Sequence, residues 1–262
     1  MKKIKERKKR ITSINKKITI SILLIVGIGL IAVLYPQESD HMSSEYDIPT
    51  EIPPIDTHTP QETETAAFAL GCFWGAEAQF GCLPGVVYTR VGYAGGTKKN
   101  PTYHDLGDHI ETVQVVYDPS KISYEELLTV FWSNENVYTR SLMRQYMSAI
   151  FYYNDTQKEL AIQSYNQMSQ TRQVHVEIME AESFYLAEDY HQKYFLQQHS
   201  ELMREFQVYS DMKDFIESTA ATRVNGYIGG CGTIIDLQHE IDEYGLSVEG
   251  KELLLRIVQE RS

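Results

Sequence analysis

The sequence predicts an α+β fold that follows one apolar segment long enough to cross a membrane. Three observations favour this class: short apolar or alternating runs bounded by glycines, helix-capping motifs between them, and an irregular order of strands and helices. The 262 residues suffice for one or two domains, and 42% hydrophobic with 23% charged residues is the composition of a globular protein.

Four elements open the predicted folded part. Thr65–Leu70 is a short, mostly apolar run that ends at Gly71, which suits a buried strand. The apolar residues after Gly75 have helical spacing, so we expect a strand, a turn and a helix in succession. Gly85–Tyr93 and the alternating run Glu111–Tyr117 predict two further strands.

The next elements alternate between capped helices and strands. Capping boxes at Ser123–Glu126 and Thr156–Glu159 each predict the start of a helix. Met147–Tyr153 and Val174–Met179 have the composition of strands, and Glu188–Gln198 is predicted to be helical.

The first 35 residues predict a membrane anchor. Residues 1–17 hold nine of the 24 Lys and Arg residues and one of the 36 acidic residues, and residues 18–35 carry no charge. As a helix this uncharged run spans about 27 Å, near the thickness of a hydrocarbon core. Basic residues before the run predict a cytoplasmic N-terminus and an exported body. The alternative is a cleaved signal peptide and a secreted protein, although no small-x-small cleavage site follows the run.

The rest of the chain divides into a spacer, a folded domain and an extension. Residues 36–64 are rich in Pro, acids and Ser/Thr, which predicts a flexible acidic linker. Residues 65–232 are the predicted folded domain, and residues 233–262 an acidic, partly helical extension with an amphipathic segment at Gly250–Glu260. Because the body is so acidic, we expect no nucleic-acid partner.

Three cysteines, Cys72, Cys82 and Cys231, carry the first chemical signal. Their spacings fit no zinc site, and a disulfide between any two would leave one thiol over. Cys72 stands at a predicted helix N-terminus between glycines and two aromatics, where backbone N–H groups favour a thiolate. The alternative is a small buried cysteine among core aromatics.

The segment Gly71–Glu77 (GCFWGAE) resembles the signature of the A-type peptide-methionine sulfoxide reductases. Six further segments between about residues 66 and 232 also match this family: Leu83–Val86, Gly92–Gly96, Asn100–Tyr103, Glu111–Asp118, Gln145–Ile150 and Ala187–Tyr194. The resemblance implies a two-layer mixed β-sheet with flanking helices. It also implies thiol-dependent reduction of the S epimer of methionine sulfoxide in oxidised proteins or as the free amino acid.

The resemblance assigns a role to each matched residue. Cys72 is the expected nucleophile, which ends the first half-reaction as a sulfenic acid, and Glu111 is the expected proton donor, with a pKa raised by burial. Tyr93 and Tyr146 are expected to hydrogen-bond the oxide oxygen. Phe73 and Trp74 are expected to bind the S-methyl group in an apolar pocket.

The same resemblance implies a resolving thiol. Cys231 lies in the Gly-rich segment Asn225–Gly232, where many relatives keep the cysteine that forms a disulfide with the nucleophile. Cys82 would lie about 15 Å from Cys72 along one helix, too far for a disulfide, and is expected to be structural. We expect no cofactor or metal, electrons from a thioredoxin-like dithiol protein outside the cytoplasm, and a monomer.

Several polar residues are assigned less directly. Ser141 stands where many relatives carry an Asp, and Glu135 or Arg140 are the alternatives for that role. His109 would share a strand face with Glu111, and His191 is expected to have a structural hydrogen bond.

Two rival functions remain at this stage. A papain-like cysteine hydrolase would use Cys72 with His191 as its base. A non-catalytic domain that binds oxidised methionine would need no thiol chemistry.

Overall fold

A six-stranded mixed sheet organises the computed structural model, which describes residues 49–58 and 60–261. The strands are β1 Glu64–Leu70, β2 Val86–Ala94, β3 Ile110–Tyr117, β4 Ser148–Tyr152, β5 Val176–Glu180 and β6 Phe184–Leu186. Their spatial order is β5-β4-β1-β3-β2-β6; β4 and β5 are parallel and the other neighbours are antiparallel. The predicted mixed sheet is therefore confirmed.

Nine α-helices surround this sheet or follow it within the described ranges. They are α1 Phe73–Gly81, α2 Tyr124–Trp132, α3 Asp155–Ser169, α4 Tyr194–Gln197, α5 Ser200–Arg204, α6 Met212–Glu217, α7 Thr219–Ile228, α8 Ile234–Glu240 and α9 Val248–Gln259. Short 3₁₀ turns lie at Pro54–Thr57, Glu135–Tyr138, Arg144–Tyr146, Asp189–His191 and Ile241–Tyr244.

The helix starts agree with one predicted cap and correct two other predictions. Ser123 and Glu126 form the expected capping box of α2. Helix α3 is instead capped by the side chain of Asn154, which accepts from the backbone N–H of Gln157. The helix predicted over 188–198 is broken, because Lys193 adopts the left-handed conformation at φ 49°.

Three apolar clusters of described residues stabilise the fold, and the third and smallest contains Ala67, Ala69, Ala94, Ile110, Ala149 and Phe151. The first packs α1, α2 and α3 on one face of the sheet, with Phe68 of β1 between the rings of Phe80 and Phe131, at 5.0 and 5.5 Å. The second surrounds α7 and joins Cys82 to residues as distant as Val258. The predicted extension from residue 233 therefore contributes Leu237, Ile241, Leu254 and Val258 to the same cluster as Cys82.

Part of the predicted flexible linker is ordered. The 3₁₀ turn Pro54–Thr57 lies against α7, and the Asp56 carboxylate accepts hydrogen bonds from the backbone N–H groups of Thr219 and Ala220 at 2.5 and 3.3 Å. It also accepts from the hydroxyls of Ser218 and Tyr209. A carboxylate at a helix N-terminus satisfies backbone donors that lack partners within the helix.

The predicted anchor at residues 18–35 and the basic head at 1–17 lie outside the described residues. Across 49–58 and 60–261, the structure contains no helix of the length and apolarity that a membrane span requires.

Candidate active site

The turn between β1 and α1 presents Cys72 at the surface. Gly71 adopts φ +80°, a conformation that favours glycine, and a side chain there would meet the Asn136 amide at 3.0 Å. That amide donates a 2.7 Å hydrogen bond to the carbonyl of Leu70 and so fixes the end of the strand. Cys72 is the N-cap residue of α1 and the free thiol among the three cysteines.

The environment of the Cys72 sulfur opposes ionisation overall. Desolvation raises its pKa above 9.0, and the negative charge of Glu111 acts in the same direction. Hydrogen bonds from the backbone N–H groups of Trp74 and Gly75, at the start of α1, lower the pKa but do not prevail. The backbone N–H groups at the helix start thus favour the thiolate, as expected, but desolvation beside a carboxyl group has the larger effect on the pKa.

Glu111 of β3 lies beside the nucleophile and is 1% exposed. Its Oε2 accepts a 3.0 Å hydrogen bond from the backbone N–H of Phe73, and its Oε1 accepts a 2.6 Å bond from Nε2 of Gln145. Burial raises its pKa above the ordinary value in spite of both hydrogen bonds. The direction of shift expected for a proton donor is confirmed.

Tyrosine hydroxyls gather near this carboxyl group. Tyr93 is fully buried on β2 and donates a 2.7 Å hydrogen bond to Oε2 of Glu188. Tyr146 is half-buried, and its hydrogen bond with Tyr103 raises its pKa, as do burial and the charges of Glu111 and Cys72. Both predicted tyrosines thus lie around the predicted acid, and both remain protonated hydrogen-bond donors at neutral pH.

An aromatic wall covers the other side of Cys72. Phe73 is buried against Tyr93 and His191, with ring centroids 6.0 and 5.0 Å apart. The indole of Trp74 stacks flat on Tyr194 at 3.5 Å, and its N–H donates a 3.1 Å bond to Nδ1 of His191. Aromatic rings therefore gather beside Cys72 at Phe73 and Trp74, the residues expected to bind the S-methyl group.

Sequence reasoning gave too little weight to the segment between β6 and α4. Glu188 accepts from the Tyr93 hydroxyl and from the backbone N–H of Tyr103 at 2.9 Å. The matching segment Ala187–Tyr194 contained this signal, but one exposed-looking carboxylate gave no reason to select it.

His191 has the structural hydrogen bond that was expected. Its Nδ1 accepts from Trp74, so the proton lies on Nε2, and burial lowers its pKa and keeps the ring neutral. No hydrogen bond joins it to Cys72 among the residues described, so the geometry of a cysteine hydrolase is not present.

Three other residues lie away from the site chemistry. The Ser141 hydroxyl bonds Met143 within its own turn, and Glu135 pairs with Arg172 at 2.8 Å on the surface. His109 accepts from the N–H of Gly96 and bonds the carbonyl oxygen of Lys98, which orders that loop instead of the site. That Ser141, Glu135 or Arg140 takes the role of the Asp of relatives stays a prediction.

The structure pairs Cys231 with Cys82, with 5.8 Å between their Cα atoms. Cys72 and Cys82 cap opposite ends of α1, which separates them by about 15 Å. Helix α7 holds the Cys82 end, because a side chain at Gly226 would meet the Cys82 nitrogen at 2.5 Å. The possibility that two cysteines form a disulfide and one remains is the arrangement observed. The expected Cys72–Cys231 bond stays a prediction that requires this disulfide to open.

The arrangement is suited to thiol redox chemistry. A free thiol, a protonatable carboxyl group, two phenols and aromatic rings lie close together, and no cluster of potential metal ligands occurs within 49–58 and 60–261. Such a site can deliver a nucleophile and a proton to one polar S–O group whose other substituents are apolar.

Comparison with known proteins gives a consistent result. Residues 64–224 match the sequence profile of the family described as peptide methionine sulfoxide reductase. A peptide methionine sulfoxide reductase of Drosophila melanogaster is 43% identical over 187 residues, which cover 70% of this chain and 75% of that protein. The reductase A5 of Arabidopsis thaliana is 44% identical over 63% of this chain and 67% of its own.

The methionine sulfoxide reductase A of Corynebacterium diphtheriae is 29% identical, covers 59% of this chain and 89% of its own, and superposes with a TM-score of 0.46.

Proposed function

Since the chain belongs to the peptide methionine sulfoxide reductase family, we propose that it reduces the S epimer of methionine sulfoxide with Cys72 as its nucleophile. The observation that carries this proposal is the buried Glu111 carboxyl, bonded to the backbone N–H that directly follows Cys72. This hydrogen bond supports the proposal because it holds the proton donor against the start of α1, which also carries the nucleophile.

The first half-reaction transfers one oxygen atom. The Cys72 sulfur attacks the sulfoxide sulfur while Glu111 protonates the oxide. Tyr146 donates a hydrogen bond to that oxygen, and Tyr93 does so when its hydroxyl turns to it from Glu188. The protonated oxygen then passes to the Cys72 sulfur, as the substrate S–O bond and the bond between the two sulfur atoms both break. Methionine leaves as the thioether, and Cys72 carries the oxygen as a sulfenic acid. The S-methyl group lies against Phe73 and Trp74 during this step.

The second half-reaction returns two electrons from a thioredoxin-like dithiol protein. While Cys231 is bonded to Cys82, no second cysteine of this chain lies near Cys72. One donor thiol therefore condenses with the sulfenic acid and releases water. The second donor thiol then breaks the mixed disulfide and restores the Cys72 thiol. Cys231 takes the resolving role implied by the resemblance only in a form whose Cys82–Cys231 bond is open.

The place of action follows from the predicted anchor. We propose a single-pass protein whose catalytic domain lies outside the cytoplasm, with secretion after signal cleavage as the alternative. The dithiol donor must then operate in the same compartment. Oxidised methionine in exported proteins is the substrate, and the enzyme acts as a monomer.

The experiment is turnover of each sulfoxide epimer by the full chain, by Cys72→Ser and by Cys231→Ser. We expect reduction of the S epimer, no activity in Cys72→Ser, and repeated turnovers with a dithiol donor in Cys231→Ser. Activity confined to the R epimer would contradict the assigned function. A single turnover per enzyme in Cys231→Ser would instead establish Cys231 as the resolving thiol.

A further inference from the structure

A buried ion pair lies one helical turn below the aromatic wall and has no part in the chemistry described so far. Glu77 of α1 and Lys193 are both fully buried, and their charged atoms are 2.9 Å apart. The Glu77 carboxylate also accepts from the backbone N–H of Lys193 at 2.8 Å and from the Thr89 hydroxyl at 3.2 Å. The Lys193 ammonium donates to the Thr89 carbonyl as well.

The pair joins Trp74 to the two groups that hold its indole ring. Trp74 is three residues before Glu77 on the same helix, and Lys193 lies between His191, which accepts the indole N–H, and Tyr194, which stacks on the indole. Lys193, with its positive φ, is the N-cap residue of α4 and directly follows Gln192, which ends the 3₁₀ segment.

The cost of the pair indicates a purpose other than stability. Charges removed from water lose hydration, and well-packed apolar replacements of buried ion pairs are often neutral or stabilising. Lys193 also keeps a left-handed backbone, which side chains other than Gly and Asn seldom adopt. The presence of the pair is explained if it fixes the segment around Lys193, because the hydrogen bonds to Glu77 allow one position of that segment relative to α1.

We propose that Glu77 and Lys193 are positioning residues that fix the Trp74 indole as the wall of the S-methyl pocket. Gln192 supports the same loop, because its amide bonds both the N–H and the carbonyl of Val91 at 2.9 Å. The inference rests on the proposed function for its kinetic consequence, but the orientation of Trp74 can be measured without any substrate.

The test uses Glu77→Gln combined with Lys193→Met, so that no uncompensated charge stays buried, together with Lys193→Met alone. Because the chain has two tryptophans, Trp132→Phe serves as the background and leaves Trp74 as the emitting residue. We expect the emission of Trp74 to shift to longer wavelength and to become more accessible to a neutral quencher. We also expect KM for the S-sulfoxide to rise by about tenfold, with a much smaller change in kcat, since the methyl pocket is loosened and Glu111 is untouched.

Glu205→Gln is the matched control. Glu205 is also a buried carboxylate, but it bonds Ser247 in the second cluster, so its loss should lower stability and leave KM and Trp74 emission unchanged. A folded double variant with the KM and Trp74 emission of its Trp132→Phe parent would overturn the inference. If the parent enzyme reduces no sulfoxide, the proposed function fails, while the emission measurement still decides the role of the pair.

Discussion

The role of Glu111 is open to a demanding test by Glu111→Gln. The carboxyl group is 1% exposed and hydrogen-bonded at both oxygens, so the nearly isosteric amide keeps the volume but cannot give up a proton. Loss of a positioned proton donor slows a reaction by about 10²–10⁴-fold, or about 2.7–5.4 kcal/mol in activation free energy. We expect the S-sulfoxide to be reduced more slowly by this factor.

The assay should isolate the first half-reaction. Enzyme in excess over S-sulfoxide, without any reductant, forms one methionine per substrate molecule. The measured rate of methionine formation then contains no contribution from the second half-reaction. Glu135→Gln, the same change in an exposed ion pair, is the control and should keep the parent rate. A Glu111→Gln rate within about threefold of the parent would refute the assignment of the proton donor, since general acid catalysis supplies far more than that.

The pH dependence of the first half-reaction gives a second, independent test of Glu111. Because burial raises the pKa of Glu111, its proton persists to higher pH than that of an ordinary glutamate and is lost as the pH rises through the raised value. The Cys72 thiol gains its charge as the pH rises through its own raised pKa. In Glu111→Gln, the fall in the rate of S-sulfoxide reduction that accompanies the ionisation of Glu111 should be absent from the pH profile. Alkylation of Cys72 should also become faster at a given pH, because the carboxylate charge no longer opposes formation of the thiolate.

Three further predictions concern residues around this centre. Replacement of both Cys82 and Cys231 by serine should lower the free energy of unfolding by about 2–5 kcal/mol, measured by denaturant titration, and leave the first half-reaction unchanged. A large loss in that half-reaction would show that the disulfide acts on Cys72. Tyr93→Phe should slow the same half-reaction about tenfold by removing one donor to the oxide, and an unchanged rate would exclude Tyr93 from that contact. Asp56→Asn should cost about 1 kcal/mol in unfolding free energy through the cap of α7, whereas an unaltered midpoint would mean that the turn does not support the helix.

Local patterns carried most of the fold prediction. Strands such as Glu111–Tyr117 alternate or are continuously apolar, and the Ser123 capping box contains its own start signal, so neither depends on distant residues. Cys72 and Glu111, the predicted nucleophile and acid, could be selected from the sequence for a different reason. Both lie in short segments that resemble those of a known family, and the resemblance implies that the two residues act together.

The features that were missed depend on distant contacts. Helix α7 contains Asn225 and Gly226, which are poor helix formers, and it is buried on nearly all sides by residues distant in the sequence. Asp56 lies more than 150 residues from the donors whose hydrogen bonds it accepts, and nothing local indicates their proximity. The same holds for Lys193, whose carboxylate partner lies 116 residues away.

The disulfide at the far end of α1 separates two cysteines that are bonded to each other from the third, which stays a free thiol. In oxidising surroundings a chain with three thiols is at risk of losing its reactive one to an internal bond. Here the two thiols within bonding distance satisfy each other, and the helix acts as a rigid spacer that keeps the third out of reach. While the Cys82–Cys231 bond is closed, an oxidant therefore cannot inactivate Cys72 by forming an intramolecular disulfide, and the Cys72 thiol remains available for substrate.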